Sequence, residues 1–151
     1  GGGIDIAVAC DMRYCSDDAN FCVKEVDMAV VADVGVLQRL PHIIGEGRAR
    51  ELAFTGRRFN GREAAALGLV NTSYATAEAL FAAVDAIARD IAGKSPLAVR
   101  GTKSAMNYAR DHSIADGLHQ VATWNAAALQ SDDFREVMQA LKEKRAPRFR
   151  D

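Results

Sequence analysis

Three carboxylates within the first 33 residues, Asp5, Glu25 and Asp33, each stand beside glycine or apolar residues, where solvation is poor. Burial disfavours the charged form of a carboxyl group and raises its pKa. Two such groups in one site can divide the labour, one as base and one as acid, which suits moving a proton along a substrate. The same residues also admit structural roles: Asp5 satisfying nearby backbone amides, Glu25 pairing with a basic neighbour on a strand, Asp33 capping a helix that begins near Val34. Residue pattern alone leaves both readings open. Gly1-Gly2-Gly3 offers backbone amides that can approach a ligand closely, and at a helix N-terminus they could stabilise a developing oxyanion. A bare glycine run is equally a linker.

Other candidates carry less. Gly45-Glu-Gly47-Arg-Ala-Arg50 imitates a dinucleotide-binding fingerprint, but Arg50 occupies the third glycine position and no strand leads into it. Lys142, Lys144, Arg145, Arg148 and Arg150 surround Glu143; they could attract a phosphate, with a solvated tail as the default. His42 and His112 read as surface or helix-end residues and His119 as part of a helix, so none is paired with a nucleophile and an orienting group. Cys10, Cys15 and Cys22 have no C-x-x-C spacing and compose no zinc framework, which leaves them as core residues of a protein from a reducing compartment. No metal site is expected.

The elements that must position these groups fall into two zones. Residues 1–75 mix short β-type runs (Cys10 to Cys15, Ala19 to Val23, Leu69 to Tyr74) with short helices. Gly1-Gly2-Gly3 leads into a helix; Val34 to Gly45 forms another, with Leu37, Leu40 and Ile44 on one side and Pro41 as a break or kink. Glu46 to Phe54 and Gly61 to Leu67 follow, the latter closed by Gly68. Residues 76–151 read as successive amphipathic helices: one capped by Thr76 with Leu80, Val84, Ile87 and Ile91 inward, one opened by Ser95-Pro96, and one opened by Ser113 and Asp116. In that third helix Ile114, Leu118, Val121 and Leu129 make an apolar stripe that Trp124 helps to pack. The last helix begins at Ser131-Asp132-Asp133 and is stopped before Pro147.

Composition bounds the rest. At 151 residues, 49% hydrophobic and 26% charged, the chain is one ordinary domain able to bury about 70% of its unfolded surface. A net charge of -1 gives no field that recruits nucleic acid or an anionic membrane, and no apolar run approaches a membrane span of about 18 residues.

Three blocks, GGGIDIAVACDMRYC, FCVKEVDMAVVADVGVLQRLP and ELAFTGRRFNGREAAALGLV, resemble the enoyl-CoA hydratase/isomerase (crotonase) superfamily in order and spacing, with KSPLAV and the terminal helices extending the likeness along the chain. KEVD, ADVG, VLQRLP and RDHS resemble its Δ3,5-Δ2,4-dienoyl-CoA isomerase branch. The resemblance implies an α/β fold: the second half of a spiral of ββα units over residues 1–75, then a helical region over 76–151 for coenzyme A contacts and assembly into homotrimers or hexamers.

It also implies roles. Gly2 supplies one oxyanion-hole amide. Hydratases of the family carry glutamates at the positions of Asp5 and Glu25 and glycine at that of Asp33. Dienoyl-CoA isomerases have the Asp5, Glu25, Asp33 combination found here. Glu25 is then the base at C2 of an acyl-CoA thioester, Asp33 the acid near C6, with the two able to exchange roles, and Asp5 orients and tunes the pair. Lys144 corresponds to a lysine that meets a phosphate of coenzyme A, and Leu141 to an apolar neighbour of the nucleotide. No prosthetic group is implied, coenzyme A being part of the substrate.

The family's N-terminal half, with a second oxyanion donor, has no counterpart in this sequence. Loss of one such donor costs roughly 2.7–4 kcal/mol, so the 151-residue chain alone is expected to be a poor catalyst. A longer natural protein or a second chain is expected to supply that half. The resemblance implies an activity in fatty-acid β-oxidation: mitochondrial or peroxisomal in a eukaryote, cytoplasmic in a bacterium. Enoyl-CoA hydration and a non-catalytic binding or assembly module are the competing functions.

Overall fold

The computed structural model describes residues 1–150, which form two compact units, Gly1–Asp85 and the chain from Ala86 onward. The first contains α1 (Gly2–Ala9), β1 (Tyr14–Ser16), β2 (Asn20–Phe21), a 3-10 helix (Glu25–Met28), α2 (Val36–Ile44), α3 (Glu46–Thr55), β3 (Phe59–Asn60), α4 (Gly61–Leu67) and β4 (Thr72–Tyr74). The division falls inside α5 (Ala77–Ala92), and α6 (Pro96–Tyr108), α7 (Ile114–Ala128) and α8 (Asp132–Glu143) follow.

In the first unit β1 pairs in parallel with β4, Cys15 opposite Ser73, and β2 pairs antiparallel with β3, Phe21 opposite Phe59. The Phe21 and Phe59 rings stack with centroids 5.4 Å apart. Gly61 lies so close under β1 that an added Cβ would sit 1.9 Å from the Ser16 carbonyl oxygen, which only glycine avoids. Ladders are shorter than the β-type runs suggest. Of the Leu69 to Tyr74 run only Thr72–Tyr74 pairs; Leu69 and Val70 are spent in the core instead.

The core is assembled mainly by helices. Val36, Leu40 and Ile44, at i, i+4 and i+8 of α2, are all buried, and they meet Ile4 and Val8 of α1 and Leu52 of α3 in one cluster. Truncating a side chain as buried as Leu40 costs about 2–5 kcal/mol in such a setting. α2 runs through Pro41 without a break, the first of the two outcomes, break or kink, expected there. Pro41 has no N–H to give the Leu37 carbonyl, and the helix ends within a turn at Gly45, whose φ of 86° is left-handed and whose N–H reaches the Pro41 carbonyl at 2.9 Å.

The later helices begin where the sequence places them. Thr76, Ser95, Ser113 and Ser131 each accept, through the side-chain oxygen, a backbone N–H three residues on. α6 and α7 pack where Gly101 lies beneath Trp124, an added Cβ falling 2.2 Å from the indole nitrogen. The α7 stripe itself is not packed: Ile114 is 84% and Leu118 66% exposed. Periodicity identifies an apolar face without supplying its partner, and Trp124 packs on α6 rather than over that stripe. Among the described residues no helix is long and apolar enough to cross a membrane.

Candidate active site

Gly2 opens α1, and its N–H belongs to the first helical turn, which has no intrahelical partner. An added Cβ at Gly1, Gly2 or Gly3 would meet nothing within 4 Å, so these glycines leave open space above the turn. The backbone nitrogen of Gly1 donates to the Cys22 carbonyl at 2.5 Å, which brings the turn beside the strand leading to Glu25.

Asp5 lies on the next turn of α1 and is 3% exposed, yet it is not unsatisfied: its Oδ1 accepts the backbone N–H of Val36 at 2.9 Å. Val36 is the first residue of α2, and the residue before it is Gly35, with φ of 109° and no side chain to cap with. Asp5 therefore caps α2 from a distance of 31 residues in sequence. Asp33, the alternative local cap, does not do so. The contact fixes the loop that carries Asp33 to the helix that carries Gly2.

Glu25 begins the 3-10 helix rather than lying on a strand, and it does not pair with Lys24, which faces Asp27 at 3.7 Å. Its Oε2 is buried without a hydrogen-bond partner. Buried polar atoms are nearly always paired, so an exception needs a reason. The Glu25 carbonyl accepts the N–H of Val30 at 3.2 Å, closing the turn around Ala29, whose φ of 55° is left-handed. A non-glycine residue in that region carries strain of about 1–2 kcal/mol.

Asp33 is exposed, so the expectation that all three acids are poorly solvated holds for Asp5 and in part for Glu25 only. The Glu25 Oε2 makes no hydrogen bond to Asp33. Around them Val26, Met28, Val30, Val31 and Val34 are exposed, Val31 by 76%, and form an apolar margin on the solvent side. Sequence reading missed Val36 as a site residue. A helix start reading Val-Gly-Val, with no Ser, Thr, Asp or Asn in the cap position, was the available sign that its cap comes from elsewhere.

Lys144 and Leu141 belong to the second unit. Leu141 is 66% exposed near the end of α8. Lys144 closes the helix in a left-handed conformation, φ 54°. The basic run after it is more than a solvated tail. Arg145 grips Glu136 with two nitrogens at 2.5 and 3.1 Å and Glu143 with Nε at 2.6 Å, and the Arg148 N–H donates to Glu136 at 2.7 Å. The guanidinium and that N–H hold the Glu136 carboxyl down at about 2.

His112, Cys15 and Cys22 make structural contacts. His112 stacks on Tyr108 at the end of α6 with its Nδ1 2.9 Å from the Tyr108 carbonyl oxygen, a hydrogen bond that raises its pKa. Cys15 is buried, which pushes its thiol pKa up. Cys22 Sγ donates to the Gly56 carbonyl at 3.0 Å, whereas Cys10 is exposed rather than in the core. Among the described residues no three His, Cys, Asp or Glu side chains cluster as metal ligands.

This framework has close relatives. The chain is 54% identical over 149 residues to the peroxisomal Δ(3,5)-Δ(2,4)-dienoyl-CoA isomerase of Arabidopsis thaliana, covering 99% of this chain and 54% of that protein. It is 48% identical over 144 residues to the mitochondrial Δ(3,5)-Δ(2,4)-dienoyl-CoA isomerase of Homo sapiens, covering 95% and 44%. It superposes on the crystal structure of enoyl-CoA hydratase from Bacillus anthracis with a TM-score of 0.92 at 35% identity, covering 99% of this chain and 57% of that one. The chain thus spans about half the length of the curated relatives it matches. A family model described as enoyl-CoA hydratase/isomerase matches residues 1–151, the glycine turn and the three acids included, and with a crotonase-like α/β fold the chain belongs to that family.

Proposed function

We propose that this chain carries the acid–base half of an isomerase that converts a 3,5-dienoyl-CoA into the 2,4-dienoyl-CoA. The observation that carries this reading is the buried, unpartnered Oε2 of Glu25, three residues after the Cys22 carbonyl that the backbone nitrogen of Gly1 meets. A carboxylate oxygen left without a donor is available to take a substrate proton.

The thioester carbonyl would accept the N–H of Gly2, together with a second donor from the rest of the protein. As the enolate forms, negative charge gathers on that oxygen, so the hydrogen bond strengthens in the transition state. Glu25 removes the proton at C2. The electron pair left behind becomes the C2–C3 double bond, the C3–C4 π pair moves to make C4–C5 double, and the C5–C6 π pair takes a proton from Asp33 at C6, leaving C3–C4 and C5–C6 single. One proton leaves C2 and one arrives at C6, with no change in oxidation state; return of a proton from Glu25 to Asp33 resets the site. The apolar margin from Val26 to Val34 suits an extended acyl chain. Asp5 positions Asp33 through Val36.

In this reading Lys144 meets a phosphate of coenzyme A, Leu141 lies against the nucleotide, and no prosthetic group is called for. The exposed stripe of α7 is in keeping with assembly into a trimer or hexamer. The pathway is fatty-acid β-oxidation, with the compartment a mitochondrion or peroxisome in a eukaryote and the cytoplasm in a bacterium. Hydration of a 2-enoyl-CoA is the second reading, favoured by the likeness to enoyl-CoA hydratase structures. It calls for two acids on one water, at the positions of Asp5 and Glu25 in the family's hydratases, and here an oxygen of Asp5 is already taken by the Val36 N–H. Ultraviolet absorbance of the complete protein with a 3,5-dienoyl-CoA distinguishes them, since only isomerisation brings the diene into conjugation with the thioester.

A further inference from the structure

The end of α8 is closed by a residue type that seldom takes this shape. The N–H of Lys144 bonds the Leu141 carbonyl at 3.3 Å and that of Arg145 the Ala140 carbonyl at 3.0 Å, the paired closure that normally has glycine at the left-handed position. A lysine there is disfavoured by its Cβ, so something must hold it.

The following residues do. Arg145 lays its fork across both oxygens of Glu136 and its Nε on Glu143, and the N–H of Arg148 shares the Glu136 Oε1. Glu136 lies two turns back along α8 and its side chain is only 23% exposed, so the chain after Lys144 is folded back onto the helix at two points. Lys144 itself makes no ion pair among the described residues, although acids surround its neighbours. A strained, exposed cation with its own counter-charges diverted to Arg145 is arranged to meet an external anion.

We propose that Glu136 and Arg145 are positioning residues that hold Lys144 in this turn, where its ammonium meets a phosphate of the coenzyme A nucleotide; the proposal rests on the assignment of Lys144 to that phosphate. Glu136 and Arg145 touch no substrate. They act by fixing the backbone on either side of the lysine, so that less of its freedom is lost on binding.

The test is steady-state kinetics of the complete protein with a 3,5-dienoyl-CoA and with the matching acyl-pantetheine thioester, which lacks the nucleotide. K144A, E136A and R145K are each expected to raise KM for the CoA thioester roughly three- to tenfold, leaving kcat and the pantetheine kinetics unchanged. The double variant K144A/E136A is expected to be no worse than K144A, because the two act as one unit. E136Q keeps an oxygen for Arg148 and should retain part of the affinity. K144G, which removes the charge but suits the turn, should raise KM as K144A does without lowering the thermal midpoint.

If K144A raises KM while E136A and R145K leave it unchanged, the lysine remains on the phosphate and the positioning role is overturned. If K144A leaves KM unchanged, the phosphate assignment itself fails and takes the positioning role with it. Equal losses with both thioesters on E136A or R145K would mark general destabilisation and overturn the proposal as well.

Discussion

The carboxylate of Asp5 on α1 accepts the backbone N–H of Val36 at 2.9 Å and so caps α2, three residues beyond Asp33. An acid that reads as a catalytic group thereby also makes a structural contact, which ties α1 to the start of α2 just after Asp33. The two readings of Asp5 weighed from sequence are compatible because the amide it satisfies is remote in sequence and near in space.

Substituting Asp5 separates these roles. Asp5→Asn keeps an acceptor oxygen for Val36 and is expected to retain folding and most of the activity of the complete protein. Asp5→Ala leaves the Val36 N–H buried without an acceptor and should cost about 1–3 kcal/mol in stability, with a matching loss of activity. Denaturation midpoints read beside initial rates check this; an inactive Asp5→Asn with unchanged stability would mean that Asp5 takes part in proton transfer.

Gly61 makes a demand of a different kind. Its missing Cβ leaves room for the Ser16 carbonyl, which as backbone cannot step aside. Gly61→Ala is expected to destabilise the first unit by more than about 2 kcal/mol through overpacking, measurable by urea titration. Gly101→Ala meets a Trp124 side chain instead, and Trp124→Ala should recover part of its loss.

The closure after α8 carries a pH dependence with a definite sign. Glu136 has its carboxyl held at about 2 by hydrogen bonds from Arg145 and from the Arg148 N–H, below the ordinary value of 4.5. Arg145, Arg148 and Glu143 are the charged groups acting on it. A depressed folded-state pKa means that the stabilisation is complete above pH 4.5 and is lost as pH falls through about 2. Hydrogen exchange at the Arg148 amide should be slow at neutral pH and lose its protection across that interval, whereas E136A should show fast exchange throughout.

Legibility from sequence followed the range of the interactions. Local chemistry was readable: Ser95, Ser113 and Ser131 cap the helices they precede, Gly68 closes α4, and the Val84 and Ile87 face of α5 is half-buried as its spacing implies. Non-local pairing was not. Nothing near Asn60 announces that Phe59 stacks on Phe21, and nothing near Val36 names Asp5 as its cap. Pro41 does not break α2, because its fixed φ is itself helical. The α7 stripe misled because an apolar face states a need for cover and not where the cover is. Residue types at Asp5, Glu25 and Asp33 were legible through family resemblance; that one would be buried and bonded, one buried and unbonded in part, and one exposed required coordinates.

The relay from Glu25 to Asp33 is tested most directly by following conjugated-dienoyl absorbance as the complete protein meets a 3,5-dienoyl-CoA. Rapid growth of that absorbance is expected, with Glu25→Gln and Asp33→Asn each lowering kcat by about 10²–10⁴-fold while folding and coenzyme A binding stay intact. Undiminished isomerisation in both variants, or hydration of a 2-enoyl-CoA with no isomerisation by the parent protein, would contradict it.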